Sequence, residues 1–143
     1  MNVESILRSK GRNVFTVAPE VKIAAAVALL RRHGIGALVV SRDGATVDGI
    51  LSERDIVHAL ADHGERALAL GVAQLMSRRV VTCAEGDMVA DLMGLMTERR
   101  IRHLPVVVRG KLAGMISIGD VVKNRIDEVE SEATSMREFI AGA

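Results

Sequence analysis

The chain has 143 residues, enough for one compact domain or two half-size units sharing an interior. Hydrophobic residues make up 49% and aromatics 1%, only Phe15 and Phe139, so the core is aliphatic and an aromatic platform for nucleic acid is excluded. Nineteen basic and eighteen acidic side chains leave +1 overall, far short of a nucleic-acid signature.

The N-terminus, MNVESILRSK, carries an acid and no apolar stretch ending in a cleavage site, so no secretory signal is expected. The longest unbroken apolar run, Ile23–Leu30, is too short for a bilayer, and a soluble cytoplasmic protein with no membrane partner is the expectation. After the lead-in Val3-x-x-Ile6-Leu7, the β-branched segment Val14–Val17 reads as extended. Pro19 suits an early helical position and Glu20 the positive helix end, predicting a helix over 19–33 with Ile23, Val27 and Leu30 on its apolar face. Strands are predicted over Ala37–Ser41 and Thr46–Leu51, on either side of the turn Arg42-Asp43-Gly44-Ala45. A second helix should begin near Glu53, capped by Ser52.

From there the sequence repeats itself. A shift of 66 lays Val14-Phe15-Thr16 on Val80-Val81-Thr82, and Ile35, Leu38 and Val40 on Ile101, Leu104 and Val106. With one residue deleted in the turn, Gly49, Ser52 and Asp55 meet Gly114, Ser117 and Asp120, giving thirteen identities over 14–57. The lead-in Val72-x-x-Leu75-Met76 also matches Val3-x-x-Ile6-Leu7. The second copy predicts an extended segment Val80–Cys83, a helix with Val89, Leu92, Met93 and Met96 inside, strands Leu104–Val108 and Leu112–Ser117, and a helix from Ile118 capped by Ser117. The fold class is α/β (α+β): two tandem β-α-β-β-α units, each marginal alone, packed with pseudo-two-fold symmetry. The predicted division is 1–62, 63–126 and an acidic helical tail, 127–143. In the tail, Val122, Ile126, Val129, Ala133 and Met136 recur at spacings of four and three, a seam suited to packing across the first repeat or against another subunit.

The Ser-x-x-Asp pairs, Ser52/Asp55 and Ser117/Asp120, allow two readings. One is helix capping alone, with the acid reaching back to the cap amide. The other adds a ligand, since a helix N-terminus offers free N–H groups to an anion and a carboxylate can accept from sugar hydroxyls. Arg54 stands inside the first pair, and Arg99, Arg100, Arg102 and His103 precede Leu104-Pro105 in the second copy; both are suited to a phosphate. Cys83, the single cysteine, reads as a small buried residue without a base to activate it, and His58 and His63 lack a metal-ligand spacing.

The pattern Val-x-Thr-x-Ala-Pro-Glu, helix, Ile-x-x-Leu-x-Val and Gly-Ile-Leu-Ser-Glu-Arg-Asp-Ile, repeated as Val80-x-Thr82, Ile101-Arg-His-Leu-Pro-Val106 and Gly114-Met-Ile-Ser-Ile-Gly-Asp-Val121, resembles the CBS domain over about residues 3–126. The resemblance implies a stand-alone tandem (Bateman) module, a homodimer, and a regulatory ligand containing adenosine: AMP, ADP, ATP, NAD or S-adenosylmethionine. It implies that Ser52, Asp55, Ser117 and Asp120 hold the sugar and that Thr16 and Thr82 line the base and sugar region. It also implies that Ile35, Ala37 and Leu38, and Arg102, His103 and Leu104, approach the adenine or phosphate. The copies differ: Gly119 replaces Arg54, and Val39 stands where the second copy has Pro105. No catalytic or metal residue is assigned. A ligand sensor acting through an effector protein is the leading reading, beside a docking module with empty clefts and, third, a small enzyme.

Overall fold

A computed structural model describes residues 1–142; Ala143, the last residue of the predicted tail, lies outside them. The chain runs α1 (Val3–Lys10), β1 (Thr16–Val17), α2 (Ile23–His33), β2 (Ala37–Val40), β3 (Gly49–Ser52), α3 (Glu53–His63), a 3-10 turn (Gly64–Ala69), α4 (Val72–Leu75), α5 (Val89–Arg99), β4 (His103–Val108), β5 (Lys111–Ser117) and α6 (Ile118–Gly142). In the first repeat β1 is parallel to β2, and β2 antiparallel to β3. In the second, β4 and β5 form an antiparallel pair turned by Arg109-Gly110, both at positive φ as a two-residue hairpin loop of the primed type demands.

The predicted strand Val80–Cys83 is reduced to a single parallel bridge, Cys83 to Val106. The first repeat shows why. There the Val39 N–H donates to the Phe15 carbonyl, and the position matching Val39 is Pro105, which has no N–H to give. Only the bonds on either side survive, from Cys83 N–H to the Pro105 carbonyl and from Val107 N–H to the Cys83 carbonyl.

Two other boundaries move. The helix predicted from 19 begins at Ile23, because Ala18–Val21 forms a turn and the backbone through Ile23 bonds across the chain. Ile23 N–H donates to the Leu70 carbonyl, Val72 N–H to Val21 and Ala73 N–H to Pro19. The strand predicted from Thr46 begins at Gly49, because Asp43 takes the Ala45 and Thr46 amides for a side-chain-closed loop.

Each lead-in packs into the other repeat's core. Val72 is buried with Val17, Ile23, Ala26, Leu30, Leu38, Val40, Leu51 and Ile56. Val3, Ile6 and Leu7 are buried with Cys83, Val89, Leu92, Met96, Leu104, Val106, Ile116 and Val121. Backbone bonds repeat the exchange, with Val3 N–H donating to the Asp87 carbonyl and Val89 N–H to that of Met1. The two repeats are therefore joined by swapped segments. The tail does not cross the first repeat: α6 packs on α5 and β5 at its start, then stands clear, exposed from Val129 onward.

Candidate functional site

The strand-to-helix junctions form as the Ser-x-x-Asp spacing requires. The Ser52 hydroxyl caps α3 while Asp55 Oδ2 accepts from the Ser52 amide at 2.8 Å and from its hydroxyl at 3.0 Å. Ser117 and Asp120 do the same at α6, with the Ser117 amide 2.9 Å from Asp120 Oδ2 and the Asp120 amide 3.2 Å from the Ser117 hydroxyl. The capping reading is thus met in both copies.

Beside each junction lies a cleft built from both repeats. The first, about 290 Å³, takes Ile50, Ser52, Glu53, Arg54 and Asp55 from the first repeat. The second repeat's side supplies Arg79, Val80 and Val81 before its bridge, and Arg100, Ile101, Arg102 and His103 after α5. The second cleft, about 350 Å³, is its pseudo-symmetric counterpart: Met115 and Ser117 face Asn13, Val14 and Phe15 and then Gly34, Ile35, Gly36 and Ala37. Both volumes suit a nucleoside-sized guest. Gly36 and His103 line both, so the two clefts meet at one wall.

Of the residues expected to touch a ligand, Ser52, Arg54, Asp55, Arg102 and His103 gather in the first cleft, and Ile35, Ala37 and Ser117 in the second. Five fall outside both linings. Leu38 and Leu104 are fully buried in the two cores, Thr16 is half-buried on β1 just beyond Val14 and Phe15 of the second cleft, and Thr82 is exposed. Asp120, the fifth, meets the second cleft only through its partners Ser117 and Lys10, whose ammonium lies 2.7 Å from Oδ2 and 3.0 Å from the Met115 carbonyl. Lys10 escapes the sequence reading, and Arg79 enters it only within the basic pair Arg78-Arg79, as a solvated base or a phosphate contact rather than as a site residue. Continuing the lead-in match, Val3 to Val72, lays Lys10 on Arg79 and would have found both.

The electrostatics of the clefts differ. The first presents four guanidiniums, Arg54, Arg79, Arg100 and Arg102, against Glu53 and Asp55. The second offers Lys10, already neutralised by Asp120. Burial pushes Asp120 upward, but the Lys10 ammonium and the Ser117 amide outweigh it and hold the carboxyl below its usual 3.8. Burial also depresses His103 below 6.5, against the opposing pull of Glu53, leaving a neutral imidazole at pH 7. At the lip of the first cleft Arg100 is held at φ 53°, where its counterpart is Gly34 at φ 61°; the Arg54 guanidinium lies 3.5 Å from the Arg100 carbonyl. In the second, Phe15 stacks on His33 with ring centres 3.7 Å apart.

Cys83 is buried and its thiol is pushed up to about 12 by burial and by Asp87, the reverse of an activated nucleophile. Among the described residues no cluster of His, Cys, Asp or Glu could hold a metal ion, and no helix is long and apolar enough to cross a membrane.

The family model described as "CBS domain" matches residues 3–62 and 72–127. A mitochondrial CBS domain-containing protein of Arabidopsis thaliana is 30% identical over 98% of this chain and 72% of its own length. Among solved structures, a CBS-domain containing protein of Agrobacterium tumefaciens is 47% identical, with a TM-score of 0.84 over 87% of this chain and 99% of that one. A CBS domain pair solved in complex with 5-methylthioadenosine and S-adenosyl-L-methionine shares the fold, with a TM-score of 0.78 at 24% identity, over 90% of this chain and 98% of that one.

Proposed function

The chain belongs to the CBS-domain family, and from that premise we propose that it is a regulatory module without chemistry of its own, which binds an adenosine-containing ligand between its repeats. The observation that carries this is the crossed construction of the clefts. The first sets Ser52 and Asp55, and the second Ser117, against the extended segment and post-helix loop of the other repeat, so a guest bridges both halves. A ligand that favours one arrangement of the halves then shifts the population a partner meets. A relative of the same fold holding two adenosyl compounds supports the ligand class.

Charge divides the labour. We assign a phosphorylated adenosine (AMP, ADP, ATP or NAD) to the first cleft, where the arginines can take phosphate in bidentate fashion and Val80, Val81 and Ile101 offer an apolar seat for the base. Both bonds that Asp55 accepts from Ser52 fall on Oδ2, leaving Oδ1 for the ribose hydroxyls. The second cleft, with Lys10 and Asp120 paired, suits a guest with little negative charge, such as S-adenosylmethionine. The module acts as a homodimer in the cytoplasm, passing its state to an effector protein rather than to nucleic acid or membrane.

Isothermal calorimetry on the purified chain tests this. Adenosine nucleotides should bind saturably and guanosine nucleotides should not. Asp55→Asn should weaken AMP more than its 2′,3′-dideoxy analogue. Equal losses for both would remove the ribose assignment, and a flat panel would favour the docking module, a reading the exposed apolar side of α6 also supports.

A further inference from the structure

From Val122 onward α6 carries an apolar side that nothing among the described residues covers. Val122, Ile126, Val129, Met136 and Ile140 are 42–66% exposed, on a helix whose inner side is occupied by Val121, Asn124 and Glu128. With Ala133 they repeat at four, three, four, three and four, an unbroken alternation of the two core positions of a heptad. The body of the protein therefore sits on one side of the helix and the seam faces away from it.

We propose that this seam is a two-stranded parallel coiled coil with the same helix of a second copy. The charges beside the seam specify both partner and direction. If Val122, Val129 and Met136 are d positions and Ile126, Ala133 and Ile140 a positions, the g positions are Arg125, Glu132 and Phe139 and the e positions Lys123, Glu130 and Arg137. In a parallel pair each g residue meets the e residue five positions on in the partner, so Arg125 faces the copy's Glu130 and Glu132 faces its Arg137. Both of these contacts join opposite charges. An antiparallel pair that brings the same seam residues together sets Glu130 against Glu130, Glu132 against Glu132 and Lys123 against Arg137, all like charges. Arg125 now bonds Glu128 of its own chain, a contact the dimer would exchange for Glu130. The arrangement is independent of what the clefts bind.

Sedimentation equilibrium on the full chain, with Glu132→Arg, Arg137→Glu and the double swap, tests the proposal. Each single change replaces attraction by repulsion in a parallel pair and should weaken the dimer about tenfold; the double swap should restore it. Circular dichroism confirms that the helix is retained. In an antiparallel pair Arg137→Glu would strengthen association by facing Lys123, so that sign overturns the direction. Oxidised Met136→Cys should also give a disulfide-linked dimer, because only the parallel register sets position 136 beside itself. A monomeric parent chain, or a dimer unchanged by deletion of residues 130–143, overturns the proposal.

Discussion

Arg100 holds a backbone conformation that its counterpart Gly34 adopts without penalty, and it does so at the mouth of the arginine-rich cleft. A side chain kept at positive φ where glycine would serve is a sign that the side chain itself is wanted. Arg100→Gly should raise stability by about 1 kcal/mol in urea unfolding and weaken a phosphorylated adenosine in calorimetry; stabilisation without loss of affinity would leave Arg100 with no part in binding. His103 makes a second residue-level prediction. Because burial lowers its folded pKa, the unfolded chain takes the proton first as pH drops below 6.5, so this group's contribution is fully present above that value and declines below it. The urea midpoint should fall between pH 7.5 and 5.5, and His103→Asn should flatten that fall.

At the level of elements, the glycine that opens each site motif is held by the lead-in of the other repeat. A β-carbon on Gly49 would lie 2.9 Å from the Ser77 carbonyl oxygen, in the backbone pair that joins Ile50 to Ser77, as well as 2.7 Å from Met76 Sδ. On Gly114 it would meet only the Leu7 side chain, at 2.8 Å, whose end can turn aside. Gly49→Ala should therefore cost about 2 kcal/mol and Gly114→Ala about 1 kcal/mol or less, measured by thermal unfolding. Both glycines were legible as matched positions in the repeat, and so were the capped helix starts, which depend on residues three apart. What was not legible depends on distant partners. The α2 start is set by Leu70, and the missing strand by a proline whose effect requires knowing that position 105 donates in the other copy. The repeat showed that two halves are alike, without showing that each lends its first helix to the other. Thr16 and Thr82 illustrate the same gap: their place beside a β-rich segment is local, but which side of it faces a groove is decided by the opposite repeat.

Taken whole, the molecule is two repeats fastened by exchanged lead-ins, so neither core is complete without residues from the far side of the sequence. Heat should therefore unfold the two repeats in one calorimetric transition, with a van't Hoff enthalpy equal to the measured one. Leu7→Ala, which removes a fully buried side chain from the second core, should lower that single transition by the equivalent of about 3 kcal/mol rather than split it in two. A resolved pair of transitions would mean that the exchange does not bind the halves together.

The wall between the clefts is thin: one imidazole and one glycine belong to both. A β-carbon on Gly36 would meet Glu53 Oε1 at 2.7 Å and touch His103 Cε1 at 3.4 Å, so a side chain at that corner would have to displace the Glu53 carboxylate. Two guests on either side would lean on the same ring. On the proposed reading, a guest in one cleft would limit how far that ring can tilt for a guest in the other.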